Sequence, residues 1–105
     1  MVRMNEIRKL AREIVRGFNP ERIILFGSYA YGKPAPYSDV DLLVIMKFEG
    51  KPFWKSLEII NRIEPDFSTD LLARRPDDTE RRYDQGDPLI REAIDRGKVL
   101  YERGR

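Results

Sequence analysis

Residues 25–45 read LFGSYAYGKPAPYSDVDLLVI: an apolar opening, a glycine–serine corner, a loop with Gly32, Pro34 and Pro36, then two aspartates at the head of a run of Val, Leu and Ile. Branched and apolar residues bounded by turn formers read as strands, so IILF at 23–26 and VDLLVIM at 40–46 are predicted to be strands buried against helices. Packing alone gives no reason for Asp39 and Asp41 there. Residues two apart on a strand project from one face, so both carboxylates point together while Val40 and Leu42 point the other way. Two adjacent anions repel, and hard oxygen ligands set close together suit Mg²⁺, which binds through one or two carboxylates plus substrate phosphates. The plain alternative makes Asp39 a turn residue after Ser38 and Asp41 a solvent-facing strand residue.

Outward from this stretch, Ile7, Leu10, Ala11, Ile14, Val15 and Phe18 recur at three-and-four spacing, which predicts a helix over 2–18 stopped by Gly17 and the Asn19-Pro20 pair. Pro52 suits a first helical turn, and Phe53, Leu57, Ile60 and Ile63 mark one face of a second helix ending near Pro65. FSTDLLA at 67–73 reads as a third strand. Asp87-Pro88 is an N-cap followed by proline at the first helical position, with Leu89, Ile90, Ala93 and Ile94 as the apolar face and Gly97 at the end. VLY at 99–101 suits a short final strand. The segment 74–87, RRPDDTERRYDQGD, is dominated by charge and turn formers and reads as a surface loop or a short solvated helix. The order is that of an α/β fold, a small mixed sheet covered by helices, in one domain spanning 1–105.

Composition narrows the chemistry. The 105 residues are 41% hydrophobic and 36% charged, with 20 basic against 18 acidic side chains for a net charge of +2. That balance argues against a protein whose main task is gripping nucleic acid through phosphates. Cysteine and histidine are both absent. Thiolate nucleophiles, disulfides, histidine-ligated zinc and serine–histidine triads are thereby excluded, and carboxylates remain as the chemical equipment. The longest wholly apolar run is LLVIM at 42–46, and no apolar signal core opens the chain, so the expectation is a cytoplasmic protein without a membrane span.

Several side chains could complete a site around the aspartates. Gly27 tolerates the corner at which backbone approaches a ligand closely, and Ser28 offers a hydroxyl and an N–H; a helical turn begun at YAYG would aim its amides at a nucleotide's phosphates. Alone, Gly-Ser is only a turn signal. Asp70 in the third strand shares a face with Ser68 and Leu72. From a neighbouring strand it could reach the same site and complete a two-metal arrangement for in-line displacement, or it is an ordinary edge-strand acid. Asp66, directly after Pro65, suits a turn. GSYAYGK nearly spells a P-loop, but Pro34 replaces the Ser/Thr that would ligate Mg²⁺ and breaks the helix that should follow.

The pattern Gly27-Ser28, ten residues, then Asp39-Val40-Asp41 resembles the signature of the DNA polymerase β-like nucleotidyltransferase superfamily. LFGSYAYG, SDVDLLV, the later strand acid in TDLL and the closing IREAIDRGKVLYER are similar, nearly end to end, to the minimal nucleotidyltransferases found beside HEPN-domain proteins. The resemblance implies the palm-like mixed sheet of that superfamily. Gly27 and Ser28, with Ser38 beside the acids, would bind the nucleotide; Asp39 and Asp41 would hold Mg²⁺, with Asp70 as the third carboxylate. It further implies transfer of a nucleoside monophosphate from a nucleoside triphosphate such as ATP to a hydroxyl, with a tyrosine of a HEPN-type toxin as the acceptor and antitoxin action as the result. A non-catalytic antitoxin that neutralises by occlusion is the alternative.

Many relatives carry Arg where this chain has Tyr31. A phosphate contact could instead come from Lys33, Arg74 or Arg75, which read equally as solvated surface charge. Because one sheet with its helices uses most of the chain, the acceptor is expected on a partner, in a hetero- or homo-oligomer, with no nucleic acid and no membrane involved. Trp54, Phe48 and Tyr37 are candidate exposed anchors for that partner, with core burial the alternative for each and the stronger one for Trp54.

Overall fold

A computed structural model of the chain describes residues 1–104. Helix α1 spans Met4–Phe18, strand β1 Arg22–Phe26, a single turn α2 Ser28–Tyr31, strand β2 Val40–Ile45, helix α3 Pro52–Ile63, strand β3 Thr69–Arg74, helices α4 Pro76–Asp84 and α5 Pro88–Arg96, and strand β4 Lys98–Glu102. The strands form one mixed sheet in the order β3-β2-β1-β4. β1 is antiparallel to both β2 and β4, and β2 is parallel to β3. A parallel pair needs a crossover, and α3 supplies it. The expected mixed sheet covered by helices is therefore the one observed.

Alternation along the strands divides the core. Ile23, Leu25, Val40, Leu42 and Val44 face α1 and α3, packing with Ile7, Leu10, Ile14 and Ile59. Ile24, Phe26, Leu43 and Ile45 face the other way, onto Ile90 and Ala93 of α5. Both faces of β1 and β2 are buried, which is why their sequences are continuously apolar. α1 ends at Asn19, in the left-handed conformation with its N–H donating to the Val15 carbonyl at 2.9 Å, rather than at Gly17, which remains helical. At α5 the Asp87 carboxylate accepts from the N–H groups of Leu89 (3.0 Å) and Ile90 (3.2 Å), as its sequence predicts.

Of the two readings offered for residues 74–87, the short helix is the one observed, although it is not solvated on every side. Most of the segment is helix α4, begun by Pro76 at its first turn, and its inward residues Asp78 and Thr79 are buried. The helix lacks an apolar stripe because polar groups occupy its inner face and are satisfied there. Asp78 accepts from Arg82 Nε at 3.0 Å and from Arg81, while the Thr79 hydroxyl donates to the Arg75 carbonyl at 2.7 Å. Trp54 is also not in the core: it is 62% exposed, edge-on to the 65%-exposed Phe53 with ring centroids 5.0 Å apart. Tyr37 is exposed as well. Phe48 is partly buried against the core, with Lys55 and Arg75 over its ring, so it is no free anchor. Among the described residues no helix is long and apolar enough to cross a membrane.

Candidate active site

The C-terminal end of β1 and the N-terminal ends of β2 and β3 meet at one rim of the sheet. Phe26, the last residue of β1, is paired with Asp41, and Asp41 is in register with Asp70 across the parallel β2–β3 ladder. The two acids are thus side by side on one face, as the spacing of the predicted strands allowed. Asp39 lies just ahead of β2, and its Oδ1 accepts from the Ser68 hydroxyl just ahead of β3. Asp39 and Asp70 are exposed, and Asp41 is half-buried.

Gly27 turns the chain out of β1 at φ 77° and opens α2, whose Ala30 and Tyr31 N–H groups donate to the Gly27 carbonyl at 3.0 and 3.3 Å. A Cβ on Gly27 would lie 2.1 Å from Oδ2 of Asp41. The glycine is therefore required by the carboxylate as well as by the left-handed backbone, since no side chain fits between the corner and Asp41. Ser28 is the first residue of the helical turn and half-buried. Ser38 belongs to the loop's own turn: its hydroxyl oxygen accepts from the Ala35 N–H at 2.9 Å, and its N–H donates to the Ala35 carbonyl at 3.0 Å.

The electrostatics of the rim are one-sided. The Asp41 carboxyl is pushed up from 3.8 to about 6, chiefly by burial and then by repulsion from Asp70, Asp39 and Glu92. Glu92, on α5, is the functional candidate that the sequence alone does not single out. It lies on α5, beyond the whole of α4 from Asp70 and further still from Asp39 and Asp41, and the only local signal is a charge one residue from Ala93 on the sheet-facing side. Glu92 also stands by Tyr31. Burial and then the Glu92 carboxylate raise the Tyr31 pKa, yet the two do not meet hydrogen-bond geometry, and the buried hydroxyl has no partner. The Arg96 guanidinium sits over the Tyr31 ring at 4.3 Å.

Mutually repelling carboxylates are the donor set that a hard divalent cation such as Mg²⁺ takes, so the residues fit the ion in chemistry. Among the described residues no three acidic side chains stand close enough to form a ready-made cation site. One oxygen of Asp39 is already occupied by Ser68. Of the other candidates, Asp66 sits in a bend beside Glu6 and Lys9 of α1, away from the rim. Arg75 donates to the Gly50 carbonyl at 2.9 Å and covers Phe48. Arg74 instead lines a groove of about 410 Å³ that begins at Asp70 and runs along β3 beside Phe53, Leu57 and Ile60. A separate depression of about 320 Å³ between Ile45, Thr79 and Tyr83 touches none of the rim acids.

The nucleotidyltransferase domain model matches residues 5–100 of the chain. Among solved structures, a protein from Sulfolobus solfataricus described as a candidate nucleotidyltransferase is 18% identical, with a TM-score of 0.66 over 96% of this chain and 81% of that one. A mutant of the toxin–antitoxin complex MntA-HpeT aligns at 21% identity and a TM-score of 0.58, covering 98% of this chain and 76% of the other. A toxin–antitoxin complex with AMP-PNP aligns at 20% identity and a TM-score of 0.55, with 98% and 76% covered. A comparison with curated protein sequences finds no match. At these identities the solved structures establish a shared fold, and the domain model covers nearly the whole chain: the protein belongs to the nucleotidyltransferase domain family.

Proposed function

We propose that the chain transfers AMP from ATP to a hydroxyl, in the first place a tyrosine, of a HEPN-type toxin and so acts as its antitoxin. The observation that carries this reading is the placement of Asp41 directly against Gly27 and in register with Asp70 on the neighbouring strand. The corner and the first turn of α2 offer backbone N–H groups and the Ser28 hydroxyl to the triphosphate. Asp39, Asp41 and Asp70 would hold Mg²⁺, which supplies charge neutralisation on the phosphates and polarisation of the attacked phosphorus. The acceptor oxygen attacks the α-phosphorus as the bond to the bridging oxygen breaks, pyrophosphate leaves, and the hydroxyl proton passes to Asp70 and then to water. The fold likeness to toxin–antitoxin complexes, one of them with AMP-PNP, supports the partner class and the nucleotide.

A second reading has its own observation in favour. Asp39 is turned to Ser68, and among the described residues no closed cation site is preformed, as suits an antitoxin that neutralises by occlusion. The two readings separate in one experiment. Incubation with α-labelled ATP, Mg²⁺ and the HEPN partner should label the partner, and Asp41→Asn should abolish the label. If an Asp39→Asn, Asp41→Asn double variant still suppresses toxicity fully, occlusion is the function.

A further inference from the structure

β3 is the outermost strand on its side of the sheet. The carbonyls of Ser68 and Arg74 accept from Val40 and Met46 N–H groups of β2 and its continuation, both at 3.0 Å, whereas the Ala73 N–H turns outward to Ser56 Oγ at 2.9 Å. In a parallel ladder the N–H and C=O of one residue point to the same side and alternate along the strand. Thr69 and Leu71 therefore also turn outward, and among the described residues nothing hydrogen-bonds to their N–H groups. Ser56 blunts this edge at Ala73 and leaves its N–H groups next to Asp70 unpaired, at half-buried Thr69 and buried Leu71. Open strand edges are templates for an added strand unless something blocks them.

The groove beside Asp70 lies along this opening. Its α3 wall carries Phe53 and Leu57, 65% and 39% exposed, and its far end carries Arg74 and Arg82. We propose that the edge is the acceptor-docking site: an extended segment of the partner protein pairs with Thr69–Leu71 and sets its hydroxyl side chain opposite Asp70. This inference rests on the transferase reading above, and the bonds made and broken are those of that reaction.

The pleat then dictates the segment's chemistry. Cross-strand neighbours share a face, so the acceptor residue points to the side of Asp70 and Asp41, while the residues immediately before and after it point to the α3 side. Those flanking residues meet Phe53 and Leu57 and are apolar. On the acceptor's own face, an acidic residue two to four positions away meets Arg74, since Arg82 is already paired with Asp78 and Asp87. The docking motif is thus a hydroxyl residue between two apolar ones with an acid nearby, in extended conformation.

Amide hydrogen exchange on the chain, free and in complex with its HEPN partner, tests the pairing. The Leu71 N–H, which lacks a hydrogen-bond partner among the described residues although Leu71 is only 6% exposed, should slow in exchange by about tenfold or more in the complex. Phe53→Asp with Leu57→Asp, both on the exposed face of α3, should raise the KM for the partner by about tenfold or more while leaving binding of Mg²⁺ with a non-hydrolysable ATP analogue unchanged. If the wild type labels the partner but Leu71 stays unprotected, or the double variant keeps its KM, edge docking is wrong and the transferase reading stands. If the partner is never labelled yet Leu71 becomes protected, docking holds and transfer is wrong. Absence of both overturns both.

Discussion

Replacing Asp41 by Asn should stabilise the cation-free protein, an unusual result for a conserved-size change in a half-buried position. The Asp41 pKa is raised from 3.8 to about 6, first by burial and then by Asp70, Asp39 and Glu92. The folded state therefore holds this proton more tightly than the unfolded chain. Its stabilising effect is complete below about pH 4 and is lost as pH rises through about 6. At about 1.4 kcal/mol per pH unit the loss has a ceiling of about 3 kcal/mol, which solvent at the rim reduces to the order of 1 kcal/mol. The chain contains no histidine, so no ordinary side chain masks the effect between about pH 5 and 8. Thermal melts in EDTA at pH 7.5 should place Asp41→Asn roughly 4–8 °C above wild type. The gap should close at pH 4, where Asp41 is protonated anyway. Added Mg²⁺ should raise the wild-type midpoint at pH 7.5 and leave the variant unmoved. A variant that melts below wild type at pH 7.5, or a wild type whose stability is flat from pH 4 to 7, would refute the charge-frustrated rim.

Other substitutions probe the surrounding scaffold. Gly27→Ala drives a methyl into the Asp41 carboxylate on a left-handed backbone; it should cost about 1–3 kcal/mol in chemical denaturation and weaken Mg²⁺–nucleotide binding, and unchanged binding would contradict the role given to the corner. Asp87→Ala removes the N-cap of α5 and a partner of Arg82. A loss of about 1–2 kcal/mol is expected at pH 7, and because the capped carboxylate has a lowered pKa the wild-type advantage should fade as pH drops through it; no measurable loss would refute the cap. Tyr31→Phe deletes a buried hydroxyl without a partner. Stability should be unchanged or rise by up to about 1 kcal/mol, and a fall of that size in a melt would reveal a bond to Glu92.

The parts of the molecule legible in the sequence are those whose signal is local. The three-and-four spacing of Ile7, Leu10, Ala11 and Ile14 gives α1, the branched runs give β1 and β2, and Asp87-Pro88 gives the start of α5. The two-residue spacing on the strand of Asp70 and Leu72 put Asp70 on a definite face, and register with Asp41 then follows from the parallel ladder. What escaped depends on contacts distant in sequence. α4 buries Asp78 and Thr79 where a helix usually buries Leu, so its hydropathy resembles a loop. Trp54 is exposed because α3 turns Ile59 inward and leaves the Phe53–Leu57 side at the sheet edge. Glu92 reaches the rim only because α5 folds back over β1, and the Ser68–Asp39 contact bridges 29 positions. The outward N–H of Leu71 is a property of strand order, which no stretch of the chain spells out.

The central claim is that the rim moves AMP onto a partner, and the intact mass of that partner tests it most directly. After incubation with this protein, ATP and Mg²⁺, the HEPN partner should gain the mass of one or more adenylyl groups on a hydroxyl side chain, with release of pyrophosphate. With Asp41→Asn it should gain none. A partner that is fully neutralised by the wild-type protein at unchanged mass would contradict the account.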